Sequence, residues 1–200
     1  MKRVYPRIKR LLDIIFSFAA LIVLSPVFFA LYLAIRLESK GPAFFKQKRV
    51  GRNKTHFQIL KFRTMRTDTP KDVPTHLLKL PGQYITKVGA FLRKTSLDEL
   101  PQIINILKGD MSFVGPRPAL WNQFDLLEER DRYKVNTLTP GLTGWAQVNG
   151  RDELSIEVKA RYDGEYKEKM SFLFDLRIVL LTIKKVFLWS DVMEGGPPGQ

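Results

Sequence analysis

The chain has 200 residues, 44% hydrophobic and 26% charged, a length and balance that suit one folded unit and exclude a disordered chain. It has no cysteine and two histidines, His56 and His76, which excludes disulfides and thiolate metal sites, argues against a multi-histidine zinc centre and leaves any catalysis to carboxylates, Lys or Arg. The formal net charge of +13 favours polyanionic partners, whether nucleic acid, anionic lipid or phosphorylated substrates.

The first element in chain order is an uncharged run from Ile14 to Ala34, long enough to cross a bilayer as a helix. A signal peptide starts in a similar way, but this run is too long and no small-x-small cleavage site follows, so it reads as a retained anchor. Ser25-Pro26 interrupts it. Pro26 has no N–H to give the carbonyl of Ile22, so the run is either a kinked spanning helix or a re-entrant one that turns and goes back. Lys2, Arg3, Arg7, Lys9 and Arg10 precede the run, and Arg36, Lys40, Lys46, Lys48, Arg49, Arg52 and Lys54 follow it. Basic flanks belong on the cytoplasmic side, which favours the re-entrant form.

Ala43–Val50 and Thr55–Lys61 read as strands, with Gly51-Arg52-Asn53-Lys54 as the hairpin turn. Lys61 and Arg63 are two apart and would share a face able to grip a phosphate, although a solvated strand face is the simpler explanation. Arg66–Pro81 holds Pro70, Pro74 and Pro81 and reads as a mobile loop, and Tyr84–Lys94 as a short helix. Ser96-Leu97-Asp98-Glu99 fits a capping box, but Pro101 suits the first position of a helix, so two starts are open. The helix runs through Ile103, Ile104, Ile106 and Leu107 to Gly109. Acidic residues at a helix start need no catalytic role, and the residues alone favour that plain reading of Asp98 and Glu99. The position would nonetheless suit phosphate.

Gly115-Pro116-Arg117-Pro118 presents one arginine on a stiff backbone, suited to phosphate or simply a rigid turn. Leu120–Lys134 reads as a surface helix, Thr139–Arg151 as a tight glycine-rich loop with little strand, and Ser155–Met170 as a charged helix holding Tyr162-Asp163. Gly164 is unusual inside that helix. Ser171 is placed to cap a last helix through Phe187, whose apolar positions Leu173, Leu176, Leu180, Ile183 and Phe187 would pack on the core or lie on a membrane.

Taken together the chain resembles the bacterial sugar transferase family, the monotopic polyprenyl-phosphate phosphoglycosyl transferases. The resemblance covers nearly the whole chain. It rests on Lys9-Arg10 and Asp13, Ser25-Pro26, Lys61-Phe62-Arg63-Thr64-Met65, Arg93 with Ser96-Leu97-Asp98-Glu99-Leu100-Pro101-Gln102, and Lys108-Gly109-Asp110-Met111-Ser112-Phe113. It continues through Gly115-Pro116-Arg117-Pro118, Pro140-Gly141-Leu142-Thr143-Gly144, Gln147-Val148-Asn149-Gly150-Arg151, Tyr162-Asp163 with Tyr166, and Asp175-Leu176.

The expected fold is therefore α+β (α/β): a compact cytoplasmic domain of short strands and helices at 41–200, with amphipathic surface helices, behind a basic N-terminus and re-entrant helix at 1–40. The resemblance implies transfer of a sugar 1-phosphate from a UDP-sugar to polyprenyl (undecaprenyl) phosphate with release of UMP, at the cytoplasmic face of the bacterial inner membrane, in the first membrane step of glycan synthesis. It implies Asp98 as nucleophile, Glu99 as catalytic partner and ligand of Mg²⁺, and Lys61, Arg93, Arg117 and Arg151 as substrate-binding residues. The implied partners are UDP-sugar, polyprenyl phosphate and membrane lipids. The rivals are a membrane-tethered basic scaffold and a nucleic-acid-binding protein. The cations are spread along the chain with no nucleic-acid motif, so no nucleic acid is expected.

Overall fold

The computed structural model describes residues 4–69, 83–150 and 153–188. Much of the predicted loop at 66–81, and Arg151, lie outside the described residues. The fold mixes helices with two small sheets. Helices α1 (Tyr5–Val23) and α2 (Ser25–Glu38) come first, then strands β1 (Phe44–Val50) and β2 (His56–Phe62), helix α3 (Lys87–Lys94), a 3₁₀ turn Leu97–Glu99 and helix α4 (Gln102–Lys108). Strand β3 (Ser112–Val114), helix α5 (Phe124–Arg132), strand β4 (Gly141–Thr143) and helices α6 (Trp145–Val148), α7 (Ile156–Lys169) and α8 (Phe172–Leu188) complete it.

The break between α1 and α2 follows from proline chemistry. Pro26 cannot donate to Ile22, and the hydroxyl of Ser25 does so instead at 2.8 Å. The two helices bend by 61° there. Among the described residues no single helix is long and apolar enough to cross a membrane, whereas the bent pair together is. Beyond the docked end of α1, Phe16, Phe18, Ile22, Val23, Phe29 and Leu37 are exposed.

β1 and β2 form the predicted antiparallel hairpin, with Phe44 opposite Phe62 and Val50 opposite His56. Its tight turn puts Asn53 and Lys54 at positive φ. β3 and β4 pair in parallel, Ser112 with Gly141 and Val114 with Thr143. An apolar cluster of Ile35, Ala43, Phe62 and Leu92 joins the end of α2 to the hairpin and α3. A second, of Val114, Val148, Tyr166 and Ile178, sits under α7 and α8.

Several expectations change. Ser96 makes no capping box: it has left-handed dihedrals (φ 56°) and its side chain caps nothing. Asp98 and Glu99 stand on the 3₁₀ turn, and Pro101 precedes the first residue of α4. Arg63 does not share a phosphate-gripping face with Lys61. It lies buried past the end of β2, where its guanidinium donates to the carbonyls of Ser39 and Lys40 at 2.8 and 2.9 Å and so secures the chain leaving α2. The helix expected at Leu120–Lys134 is shorter and buries Leu126 and Arg130. On α8, Leu173, Leu176, Leu180 and Ile183 do not pack on the core but are exposed, Leu173 to 75%, while Ile178 and Phe174 carry the packing.

Polar contacts dock α1. Arg10 donates to the carbonyls of Ile106 and Leu107 at 2.6 and 2.8 Å, at the C-terminal end of α4 where a cation complements the helix dipole. Asp13 accepts from Phe113 N at 3.1 Å. Asp175 on α8 accepts from Tyr5, Lys9 and Tyr166. Arg10→Met should lower stability by about 2 kcal/mol, the scale of losing a charged hydrogen-bonding group from a part-buried site. A thermal midpoint equal to that of the wild type in the same detergent would remove Arg10 as a fastener.

Candidate active site

The site forms where β2 meets the turn ahead of α4. Asn105 fixes that meeting. From α4 its buried side-chain amide acts like a short extra strand on β2: Oδ1 accepts from Leu60 N at 2.9 Å and Nδ2 donates to Gln58 O at 2.8 Å. Lys61 follows Leu60 on the strand, and the chain entering α4 carries Asp98 and Glu99.

Lys61 Nζ lies 2.8 Å from Glu99 Oε1 and 3.7 Å from Asp98 Oδ2. Arg117 Nη2 lies 3.5 Å from the same Glu99 oxygen. The side chains of Asp98 and Glu99 are 12% and 14% exposed, so these charges interact in a poorly solvated place. Two carboxylates held beside a lysine and an arginine can receive a phosphorylated ligand, with the cations offsetting phosphate charge and a carboxylate oxygen available as nucleophile.

The predicted residues are thus brought together unevenly. Lys61, Asp98, Glu99 and Arg117 converge. Arg93, on α3, donates Nε to Thr64 Oγ1 at 2.9 Å, which ties it to the segment leaving β2 three residues past Lys61. Arg151 lies outside the described residues.

Among the described residues no three His, Cys, Asp or Glu side chains cluster as a metal site. The donor set nonetheless suits Mg²⁺, which commonly takes one or two carboxylates and completes its shell with substrate phosphate and water. Glu99, the expected ligand, would supply one such carboxylate.

Sequence reasoning missed Arg130. Its Nε and Nη2 donate to Asp163 Oδ2 at 2.9 and 2.6 Å, and Nη2 also donates to the carbonyl of Arg117 at 3.0 Å. The signal available was its spacing: it stands four residues after Leu126, on the buried side of α5. Burial pushes the Asp163 carboxyl up, and the Arg130 guanidinium pulls it back. Burial and the neighbouring Asp175 push the Tyr166 hydroxyl up as well, and it donates to Asp175 Oδ1 at 2.9 Å.

The family model for bacterial sugar transferases matches residues 4–189. The chain is 40% identical over 188 residues to an uncharacterized sugar transferase of Bacillus subtilis, EpsL, across 94% of this chain and 91% of that one. It is 42% identical over 191 residues to the UDP-glucose:undecaprenyl-phosphate glucose-1-phosphate transferase of Escherichia coli, across 90% of this chain but 40% of that one. It is 36% identical to the exopolysaccharide production protein ExoY of Sinorhizobium fredii, across 90% of this chain and 85% of that one.

Gly164 tests how closely the helices behind the site must pack. A Cβ there would stand 2.9 Å from the Tyr133 ring, just beyond α5. Gly→Ala inside a helix ordinarily gains about 1 kcal/mol. Here Gly164→Ala should instead destabilise by roughly 1–3 kcal/mol through overpacking, read by denaturant or thermal unfolding. A net gain in stability would show that α5 and α7 have room to spare.

Proposed function

The chain belongs to the bacterial sugar transferase family, and from that premise we propose that it transfers a sugar 1-phosphate from a UDP-sugar to polyprenyl phosphate, of the undecaprenyl type, at the cytoplasmic face of the bacterial inner membrane. The observation that carries the reading is the convergence of Lys61, Asp98, Glu99 and Arg117. The relative in Escherichia coli is named for this reaction with UDP-glucose, and ExoY for exopolysaccharide production. Because the chain spans 40% of the Escherichia coli protein, the reaction is carried over on the matched portion alone.

The proposed reaction has two displacements at one phosphorus. An Asp98 carboxylate oxygen attacks the β-phosphorus of the UDP-sugar. The bond from that phosphorus to the bridging oxygen breaks, and UMP leaves with the oxygen. The sugar phosphate now rests on Asp98 as an acyl phosphate. A phosphate oxygen of the polyprenyl acceptor then attacks the same phosphorus, the bond to Asp98 breaks, and the carboxylate is restored as polyprenyl diphosphate-sugar leaves. Lys61, Arg93 and Arg117 offset the phosphate charge, and Arg151 contacts the nucleotide or its phosphates. Glu99 would help hold Mg²⁺, which supplies charge neutralisation at the diphosphate when bound.

Access to a lipid acceptor requires the site to stand at a membrane. The bent α1–α2 pair with its exposed apolar side chains supports a re-entrant anchor, because a large exposed apolar patch marks a membrane or partner surface. The basic residues at both ends of the pair suit an anionic cytoplasmic leaflet.

The test is UMP release from a panel of UDP-sugars with polyprenyl phosphate. Release is expected for one or a few sugars, to cease with EDTA and to return with Mg²⁺. Asp98→Asn should keep the fold and lose at least about 1,000-fold in turnover, the scale seen when a nucleophile is removed. No UMP release with any sugar, or full turnover by Asp98→Asn, would overturn the proposal.

A further inference from the structure

We infer that Arg130 and Asp163 are positioning residues for the transfer, holding the main chain of Arg117 so that its guanidinium stays beside Glu99. The inference rests on the proposed function and adds residues to its site. The Gly115–Pro118 turn is fastened at every residue. Gly115 N donates to Thr143 O at 2.8 Å, and Gly141 N to Pro116 O at 2.9 Å. Arg130 Nη2 donates to Arg117 O at 3.0 Å, and Arg49 Nη1 to Pro118 O at 3.2 Å.

The first two bonds accompany the pairing of β3 with β4. The Arg130 bond, like that of Arg49, comes from a charged side chain, but the Arg130 side chain is only 7% exposed and holds Asp163 and the Arg117 carbonyl together. A guanidinium is costly to bury unless it is paired, and Asp163, whose side chain is 1% exposed, supplies the partner. Well-packed apolar side chains at such a place are often at least as stabilising as an ion pair, so stability alone does not account for it. A guanidinium fork can grip a carboxylate and a carbonyl at once and so fix the direction in which the next side chain leaves. Gly164 belongs to the same device. It lets α7 approach Tyr133 at the end of α5, and the residue before it is Asp163. The line of support runs from Gly164 through Asp163 and Arg130 to the Arg117 carbonyl, and from Arg117 Nη2 to Glu99 at 3.5 Å.

The test is a double-mutant cycle with UMP release as the readout. Arg130→Lys keeps a positive charge for Asp163, but as a point donor it cannot serve both acceptors with a planar fork. Its kcat should fall about tenfold, with a thermal midpoint within about 3 °C of the wild type. Combined with Arg117→Ala, it should slow turnover no further than Arg117→Ala alone, because both act through one group. Losses that multiply in the combined variant overturn the inference, and so does Arg130→Lys with wild-type kcat. Should Arg130→Lys unfold, Arg130→Met with Asp163→Leu removes both charges together and is put through the same cycle with the same two outcomes. The Nε–H resonance of Arg117, followed by ¹⁵N NMR, gives a readout independent of turnover. A shift on Arg130 substitution is expected, and an unmoved resonance overturns the inference. Absence of UMP release by the wild type would instead count against the proposed function, so the two failures are distinguishable.

Discussion

Two adjacent carboxylates, Asp98 and Glu99, are held largely out of water, and their like charge is the constraint that the surrounding structure answers. Like charges in a poorly solvated place repel unless cations stand close. Lys61 stands within reach of both, and Arg117 reaches Glu99. Each cation arrives on a separate support. The Asn105 amide fixes the 3₁₀ turn against the edge of β2, which sets the distance to Lys61. The parallel pair β3–β4 and the two prolines of Gly115–Pro118 set the path that carries Arg117. A site built this way accepts further negative charge readily, because its cations are already gathered and a phosphate can take over part of their interaction with Glu99.

The same supports tie the site to the N-terminal helix. Arg10 holds the end of α4 whose beginning follows the two carboxylates, and Asp13 holds β3, which leads into the Arg117 turn. Asp175 gathers Tyr5, Lys9 and Tyr166 at the far side. The polar end of α1 is therefore structural to the catalytic region, while its continuation past the dock and α2 present exposed apolar side chains. Under the proposed re-entrant placement, that attachment would set the height of the carboxylates relative to the lipid surface, where the phosphate of a polyprenyl acceptor resides.

Local chemistry made the hairpin, the break at Ser25-Pro26 and the stop at Gly109 legible in the sequence. Each depends on residues close in the chain: alternating strands around a turn, a missing N–H, a left-handed glycine. Asp98, Glu99, Lys61 and Arg117 were legible as phosphate-suited positions from the residues, but only the family resemblance set them above the plainer uses of acids near a helix start and cations on a strand or turn. The capping-box pattern at Ser96 misled because a 3₁₀ turn precedes Pro101 and leaves Ser96 left-handed. Arg63 misled because strand alternation ends with β2 at Phe62, so Arg63 neither shares a face with Lys61 nor lies on a solvated strand face but turns inward to secure Ser39 and Lys40. The Arg130–Asp163 pair was hidden for a different reason: it joins residues 33 apart on two helices, and only the odd Gly164 hinted that those helices come close.

The arrangement around Asp98 is most directly tested by trapping the half-reaction. The wild-type protein would be incubated with its UDP-sugar and Mg²⁺ in the absence of polyprenyl phosphate, digested, and examined by mass spectrometry. A gain of one sugar phosphate on the peptide containing Asp98, with matching UMP release, is the predicted result. An adduct on another residue, or UMP release only when polyprenyl phosphate is also present, would contradict a covalent aspartate and point to direct transfer between two bound substrates.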